Sequence, residues 1–578
     1  YRHVQQYANF NVGISHVMKV IFGDEGQALA NAATIPDWFF EGDAVYNETN
    51  ITRQGRGALP YFYNGYRALW ASQKDYNWMK LRNGSFLDFI PDKYILGFMM
   101  TAYGREKFGV DFWKGVTHDA ASLKSIFYPF QSSVKKHSGQ NFKDFRDSAF
   151  LFFQNQFADA STKFNPPNYQ QDEQFAVFDE NGNILYLKGS VKDIPRFVIR
   201  NIKDGGEKII RVADYMVEDY FSYRDGRIVY TSRRYNPRWV SQAWNEIQLI
   251  KVSDGRQKTI TRKTRYFSPD INDAGDKIVA VNASRNGQVS LDLIDVENGN
   301  TIQRIAYPGI VNFIHPKFNG ENVIAGIVNQ EGKMSIAEIN TDNKSLQYIL
   351  PFSDNVIGFP FIRHDTLYFS ASQKKKDELM AYTFSDKKLW IVTSTLRGIG
   401  KYHVGVSDSL FVWSSFTAQG MRISEVPREY ISFNEVQMKA FPLITSSFGL
   451  SGLNNINSNL LYRFSDTGFS SKRYRQLAHP FNFHSLEPSV SDPDYTLSLV
   501  GENILNTVQS DISFTYNRTD HSKSAGIDVS YGGLYPVITS GYDFSFDRRA
   551  YTDSQFVYYN TSEPYVGFYV PMNLSRRR

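Results

Sequence analysis

The 578 residues include no cysteine, which excludes disulfides, thiolate catalysis and cysteine-held zinc. That absence leaves an oxidising compartment open; the chain does not exploit one. Charge is sparse and balanced, with 21% charged residues and 64 Lys+Arg against 59 Asp+Glu, a net +5. No basic face stands out, so nucleic acid is not an expected partner. Long apolar runs are missing too. The longest candidate, Tyr94 to Tyr103, falls short of the roughly 20 residues a spanning helix needs and reads as a core helix. Aromatics, by contrast, are plentiful. The 45 Phe and 36 Tyr favour β-rich architecture or the aromatic girdles of a membrane interface. Length predicts about three to four domains, and 42% hydrophobic content can fill their cores. Neither end reads as a natural terminus. Tyr1-Arg2-His3-Val4-Gln5-Gln6 looks like mid-helix and Asn573 to Arg578 follows a strand-like run, so a longer chain is expected.

Three textures follow one another. Residues 1–165 read as helical: Asp24 to Ala33 and Asp92 to Tyr103 carry helical patterning, and Phe residues recur at helical spacing over 142–157. Asn165-Pro166-Pro167-Asn168 then breaks the pattern. From 170 to 428 short β runs alternate with polar turns. Turn-plus-strand units recur with second turn residues at Gly182, Gly226, Gly275, Gly320, Asp365 and Asp408, spaced by 44, 49, 45, 45 and 43. Six units of about four short strands each predict a six-bladed β-propeller. An irregular pair of β-sandwiches is the competing reading. Residues 429–494, rich in Ser and Asn, read as a connector.

From 495 to 578 longer alternating strands appear. Ile512, Phe514 and Tyr516 alternate with Ser513, Thr515 and Asn517; Ile527, Val529 and Tyr531 with Asp528 and Ser530; Tyr542, Phe544 and Phe546 with Asp543 and Ser545. Such dyads predict the first strands of a transmembrane β-barrel, although a soluble antiparallel sheet also alternates. A longer polar loop at Asn517 to Ser524, a tight turn at Gly532 to Pro536 and a long loop at Arg548 to Glu563 place the start of the first clear strand in the periplasm. The domains before it are then periplasmic. Four or five strands cannot close a barrel, whose minimum is about eight, so the remainder is expected outside this chain or from a partner.

Chemistry concentrates in the first 110 residues. Glu41 sits in the aromatic helix start "IPDWFFEGDAVYNET" (35–49), where an unpaired carboxylate is costly, and His3 lies on another predicted helix. Imidazole and carboxylate from two helices suit zinc with an open position for water. "PDWFFEGDAVY" (36–46) closely resembles the third-ligand helix of the gluzincin metallopeptidases, and "YRHVQQY" (1–7) the tail of an HExxH helix. The resemblance implies His3 and Glu41 as zinc ligands. It places the first histidine and the general-base glutamate immediately before Tyr1. "PDKYILGFMMTAYGREKFGVDFW" (91–113) is similar to the following helix, which makes Tyr94 a candidate catalytic residue. Asp37 or Asn47 would orient a ligand. The alternative is that Glu41 caps or salt-bridges a helical core and His3 is a surface histidine.

Elsewhere there is little. Gly55-Arg56-Gly57 and Gly532-Gly533 lack the Lys-Ser/Thr of a phosphate loop. His315, His364 and His403 read as structural, and "QKKKDE" (373–378) as a solvated turn. "YRQLAHPFNFHSLEP" (474–488), with His479 and His484, is similar to a segment of large Bacteroidota outer-membrane proteins that join a TolB-like propeller to a barrel. Packing against a barrel mouth suits these histidines better than metal binding.

The order of parts resembles those proteins as a whole. The expected fold is multidomain: an α-helical metallopeptidase-like domain, a six-bladed propeller and a partial transmembrane antiparallel barrel. The expected function is an outer-membrane-anchored zinc metallopeptidase acting on periplasmic or exported protein, with the propeller as a client platform. Outer-membrane lipid, a protein or peptide substrate and other outer-membrane complex subunits are the expected partners. A non-catalytic scaffold subunit of an outer-membrane assembly or secretion complex is the second reading, and a barrel transporter with periplasmic sensing domains the third.

Overall fold

A computed structural model describes residues 2–52, 54–157, 168–239, 242–373, 375–395, 398–438, 441, 450, 470 and 479–572. The helical part comprises α1 (Arg2–Asn9), α2 (Gly13–Thr34), α3 (Asp37–Ile51), α4 (Pro60–Ala71), α5 (Trp78–Asn83), α6 (Lys93–Phe108), α7 (Phe112–Ala121), α8 (Pro129–Ser138) and α9 (Phe142–Gln154). Local chemistry starts several of them. Asn77, Asp92 and Asn141 cap α5, α6 and α9 by accepting backbone N–H bonds. Pro60 and Pro129 open α4 and α8. A core dense in rings, Trp38, Phe39, Trp113, Phe130 and Phe145 among them, holds the helices together. At its centre α3 and α6 touch backbone to backbone, because Gly42 faces Gly97: a Cβ on Gly42 would lie 2.0 Å from the Gly97 carbonyl carbon. Gly42→Ala is therefore expected to cost about 1–3 kcal/mol, read as a lowered denaturation midpoint of the helical part.

Six antiparallel sheets follow, at Gln171–Val212, Phe221–Thr259, Tyr266–Ile305, Ile310–Tyr348, Ile357–Ser394 and Ile399–Pro427. They are the blades of a β-propeller. The first strands of successive blades meet around an axis, and blade one returns against blade six, which sets aside the sandwich reading. The strand Ile431–Val436, expected to belong to the connector, pairs with Lys388–Ser394 and gives blade five a fifth strand, while blade six keeps three. Among the described residues no strand is shared between first and last blades. Instead Gln171 N–H donates to Gln419 O at 2.9 Å, Ser414 Oγ to Glu173 O at 3.0 Å, and Arg422 pairs with Glu173 at 3.0 Å.

The innermost strands share a backbone device. Phe175, Ser268, His315, Phe359 and His403 all sit at positive φ (44–57°) beside a register shift in blades one, three, four, five and six. A bulge with a left-handed residue bends each strand and re-aims that side chain. Rings from five blades consequently fill the axis. Phe175 stacks on His403 at 3.7 Å, Tyr220 on His315 at 4.7 Å, and Phe359 closes the set at 4.9 Å from His315 and 4.3 Å from His403.

The last sheet is an open six-stranded meander, Phe483–Ser491, Asp494–Glu502, Val508–Asn517, Lys523–Tyr531, Val537–Thr552 and Gln555–Tyr569. It begins earlier than expected, inside the predicted connector. The expected long loop at Arg548 to Glu563 is corrected: Arg548 pairs with Tyr559 and Tyr551 with Phe556, so two long strands meet in a tight turn at Asp553-Ser554. The alternation holds. Register places Leu497, Ile512, Phe514, Ile527 and Tyr542 on one face, each at least 40% exposed, and Ser513, Asp528 and Asp543 on the other. No closed barrel and no helix long and apolar enough to cross a membrane occur among the described residues.

The parts are in contact. Tyr61 of α4 lies against Tyr402 (5.1 Å) and Phe416 (5.3 Å) of blade six, and Asn64 Nδ2 donates to the Tyr402 hydroxyl at 2.7 Å. That hydroxyl donates in turn to Asp377, whose pKa burial lifts to about 6. Gly23 at the kink of α2 abuts the His484 carbonyl, so this histidine packs against the helical part, while His479 is exposed. Arg238, from the hairpin loop of blade two, donates through Nε to Gly532 O at 3.0 Å.

Candidate metal centre

His3 and Glu41 come together. They sit on α1 and α3, and His3 Nε2 lies 3.5 Å from Glu41 Oε2. The entry of α3 explains the placement. Pro36 holds an extended backbone, Asp37 accepts the Trp38 N–H at 2.9 Å, and Trp38 and Phe39 plunge into the core. One turn on, Glu41 is left at the surface with 20% of its side chain exposed. The Gly42–Gly97 contact then brings α6 close enough for Lys93 Nζ to stand 3.9 Å from Glu41 and 3.3 Å from Asp37.

The orientation of His3 is fixed from behind. Its Nδ1 is 2.8 Å from Gln6 Oε1. The Gln6 amide cannot turn over, because its Nε2 donates to Phe40 O at 3.0 Å and to Asp43 Oδ2 at 2.8 Å, both pure acceptors. Nδ1 must therefore carry the proton, which leaves the Nε2 lone pair facing a carboxylate. Two acceptors 3.5 Å apart repel unless the imidazole is doubly protonated or a cation lies between them. Asp43, 1% exposed, is itself held by Arg2 and Arg105, each at 2.7 Å, and by Asn47.

These donors fit zinc. Tetrahedral ligands at about 2.0–2.1 Å from one ion stand about 3.4 Å apart, the separation seen here. Two ligands do not complete a site, and no group of three His, Cys, Asp or Glu suited to a metal occurs among the described residues. The residues that orient His3 are Gln6 and Asp43 rather than Asp37 or Asn47. His3 and Gln6 are three apart on one helical face, a spacing visible in the sequence. Tyr94 neighbours Lys93 on α6, but its ring lies under the Arg56 guanidinium (5.1 Å), and no hydrogen bond joins it to His3 or Glu41 among the described residues.

No protein-family model and no curated protein matches the chain. Solved structures similar to it include TolB from Acinetobacter baumannii, with 11% identity over 53% of this chain and 73% of that one, TM-score 0.30. A putative TolB from Agrobacterium tumefaciens matches at 12% identity over 46% of this chain and 91% of its own, TM-score 0.33. The tricorn protease matches at 13% identity over 67% of this chain and 41% of its own, TM-score 0.23. The neighbours are thus TolB-like propellers and peptidases; the propeller assignment itself rests on the six sheets around an axis.

The remaining histidines fall where a structural role puts them. His364 is an exposed turn residue beside Asp408 (3.7 Å). His315, half-buried, and His403, buried, face the axis, and desolvation first, with Lys317 second for His315 and His315 second for His403, pushes both down to about 3. Neutral at ordinary pH, they are packing rings rather than acid–base groups.

Proposed function

We propose that the chain belongs to an outer-membrane-anchored zinc metallopeptidase acting on periplasmic or exported protein. The observation that carries this reading is the 3.5 Å approach of His3 Nε2 to Glu41 Oε2, with Gln6 holding the ring from its Nδ1 side, a separation that suits a shared cation. His3 and Glu41 would hold the ion, while Gln6 keeps the Nδ1 proton and Asp43 anchors Gln6. Bound zinc supplies a polarised water whose pKa approaches about 7. In this reading Tyr94 would meet the substrate, a role that the family resemblance implies and that its ring, under the Arg56 guanidinium, would have to leave that contact to fill. Anchorage is supported by the exposed apolar face of the last sheet, since a contiguous apolar face without cover marks a partner or a membrane. The contacts from Arg238 to Gly532 and from Gly23 to His484 also set the propeller and helices at one end of that sheet.

The second reading, a scaffold subunit of an outer-membrane complex, is favoured by Lys93, a cation already near Glu41. Metal content of the intact full-length protein separates the two. The peptidase reading expects about one zinc per chain, lost in Glu41→Gln. Folded protein without zinc would leave only the scaffold.

A further inference from the structure

A cavity of about 450 Å³ opens between blades two and three. Its walls carry Arg233, Arg265 and Arg285. They come from three places: the second strand of blade two, the link into blade three, and the following hairpin turn. None of the three has a carboxylate partner among the described residues. The acids nearby are taken, Glu246 by Arg234 (3.6 Å) and the Lys263 N–H (3.0 Å), Asp214 by Arg234 (3.8 Å) and Gln257 (3.0 Å). Arg233 Nε is buried with no hydrogen-bond partner among the described residues. Three guanidinium groups lining one cavity, that of Arg233 over the Tyr235 ring, set a positive potential in it.

We propose that this cavity binds an acidic segment of polypeptide, with aspartate or glutamate carboxylates received by the arginines. A guanidinium fork matches a carboxylate in a paired, planar geometry that a simple positive charge does not reproduce. The other lining groups argue for a peptide over a small inorganic anion: the Trp239 and Phe267 rings suit side-chain stems, and the Gln242 and Asn245 amides suit a peptide backbone. The volume accommodates a few residues. The cavity lies on the face formed by loops between second and third strands. The corresponding loops of blades four and five meet the helical part through Gly332 beside Gln54 and Lys375 on Gln156, so on that face blades two and three stand away from the helices, and Arg238 of the blade-two loop reaches Gly532 of the last sheet. The inference stands apart from the zinc reading and does not require it.

The test is binding of a fluorescein-labelled hexaglutamate peptide to the whole chain, with hexalysine as control and inorganic phosphate as competitor. Arg265 and Arg285 are exposed, so Arg265→Gln/Arg285→Gln is expected to fold with an unchanged melting temperature. Hexaglutamate is expected to bind, hexalysine not, with affinity falling about tenfold or more in the Gln pair and as salt rises. Arg265→Lys/Arg285→Lys is expected to lose affinity too, because charge alone does not replace the fork. Unchanged affinity in the Gln pair, or no hexaglutamate binding, overturns the proposal. Displacement by phosphate as effective as by unlabelled peptide overturns it as well, in favour of a simple anion site.

Discussion

Glu173→Ala is expected to remove about 3 kcal/mol of propeller stability, because its carboxylate is the electrostatic clasp of the ring. The side chain is 3% exposed and receives Arg422 Nη2 at 3.0 Å, Gln171 Nε2 at 2.8 Å and the Ile423 N–H at 3.3 Å. Those partners join the first strand of blade one to the last strand of blade six. Elsewhere in the ring, successive blades are covalently linked, so a weakened contact is re-formed at high local concentration; at this seam only non-covalent contacts close the circle. Breaking a buried pair by deleting one partner costs about 3–5 kcal/mol, since the other charge stays behind. Arg422 is 20% exposed and near Asp172, which puts the expected value at the low end. Glu173→Gln keeps the shape and an acceptor for Arg422 but loses the charge and sets its NH2 against the Ile423 N–H, and is expected to fall between. Urea midpoints of the propeller transition measure the effect, and limited proteolysis locates it. A Glu173→Ala protein within about 1 kcal/mol of the parent would mean that apolar packing between the blades closes the ring unaided.

The blade rhythm was legible because turns are chemically stereotyped: Asn-Gly, Asp-Gly and their relatives repeat wherever two strands must reverse. The second rhythm, at Phe175, Ser268, His315, Phe359 and His403, was invisible although its spacing is similar. What repeats there is a left-handed backbone, and side chains as different as serine and phenylalanine share it. Pairing choices were equally hidden. Nothing in Ile431–Val436 distinguishes a strand for blade five from one for blade six, because both edges offer the same backbone groups. Arg548 to Glu563 looked like a loop from its polar and charged residues, yet long hairpins tolerate polarity on both faces once they extend beyond any packing partner. At the metal centre, His3 and Glu41 were found from a motif. Gln6 and Asp43 were not, since their role exists only when α1 crosses α3. The arginine cavity left no mark on the sequence for the same reason: Arg233, Arg265 and Arg285 form no basic run and meet only through the blade fold.

The axis of the propeller supplies the second large effect, an acid sensitivity that a single substitution should relieve. His403 is stacked on Phe175, edge-on to Phe359, and its Nδ1 is buried without a partner. Burial, with His315 nearby, lowers its pKa from 6.5 to about 3. Above pH 6.5 the imidazole is neutral in both folded and unfolded chains and contributes no pH dependence. Below it the unfolded chain takes up a proton that the folded chain refuses until about pH 3, so stability falls as pH falls, by up to about 1.4 kcal/mol per pH unit. By pH 4.5 that is about 2.7 kcal/mol for His403 alone. Phenylalanine is the apt replacement, because Phe175 and Phe359 already occupy the equivalent left-handed bulge in blades one and five. His403→Phe is thus expected to match the parent near pH 7.5 and to exceed it by about 2.7 kcal/mol at pH 4.5, read from urea midpoints across pH. His315 is the poorer choice, because Lys317 beside it is tied to Ser222 and Asp270 and its Nδ1 accepts the Phe359 N–H. Asp377, Glu218 and Asp219 have raised pKa values and titrate with the opposite sign, but both proteins retain them, so they cancel in the difference. Parallel curves for parent and variant would mean that His403 reaches water, and that the axis breathes enough to admit a proton.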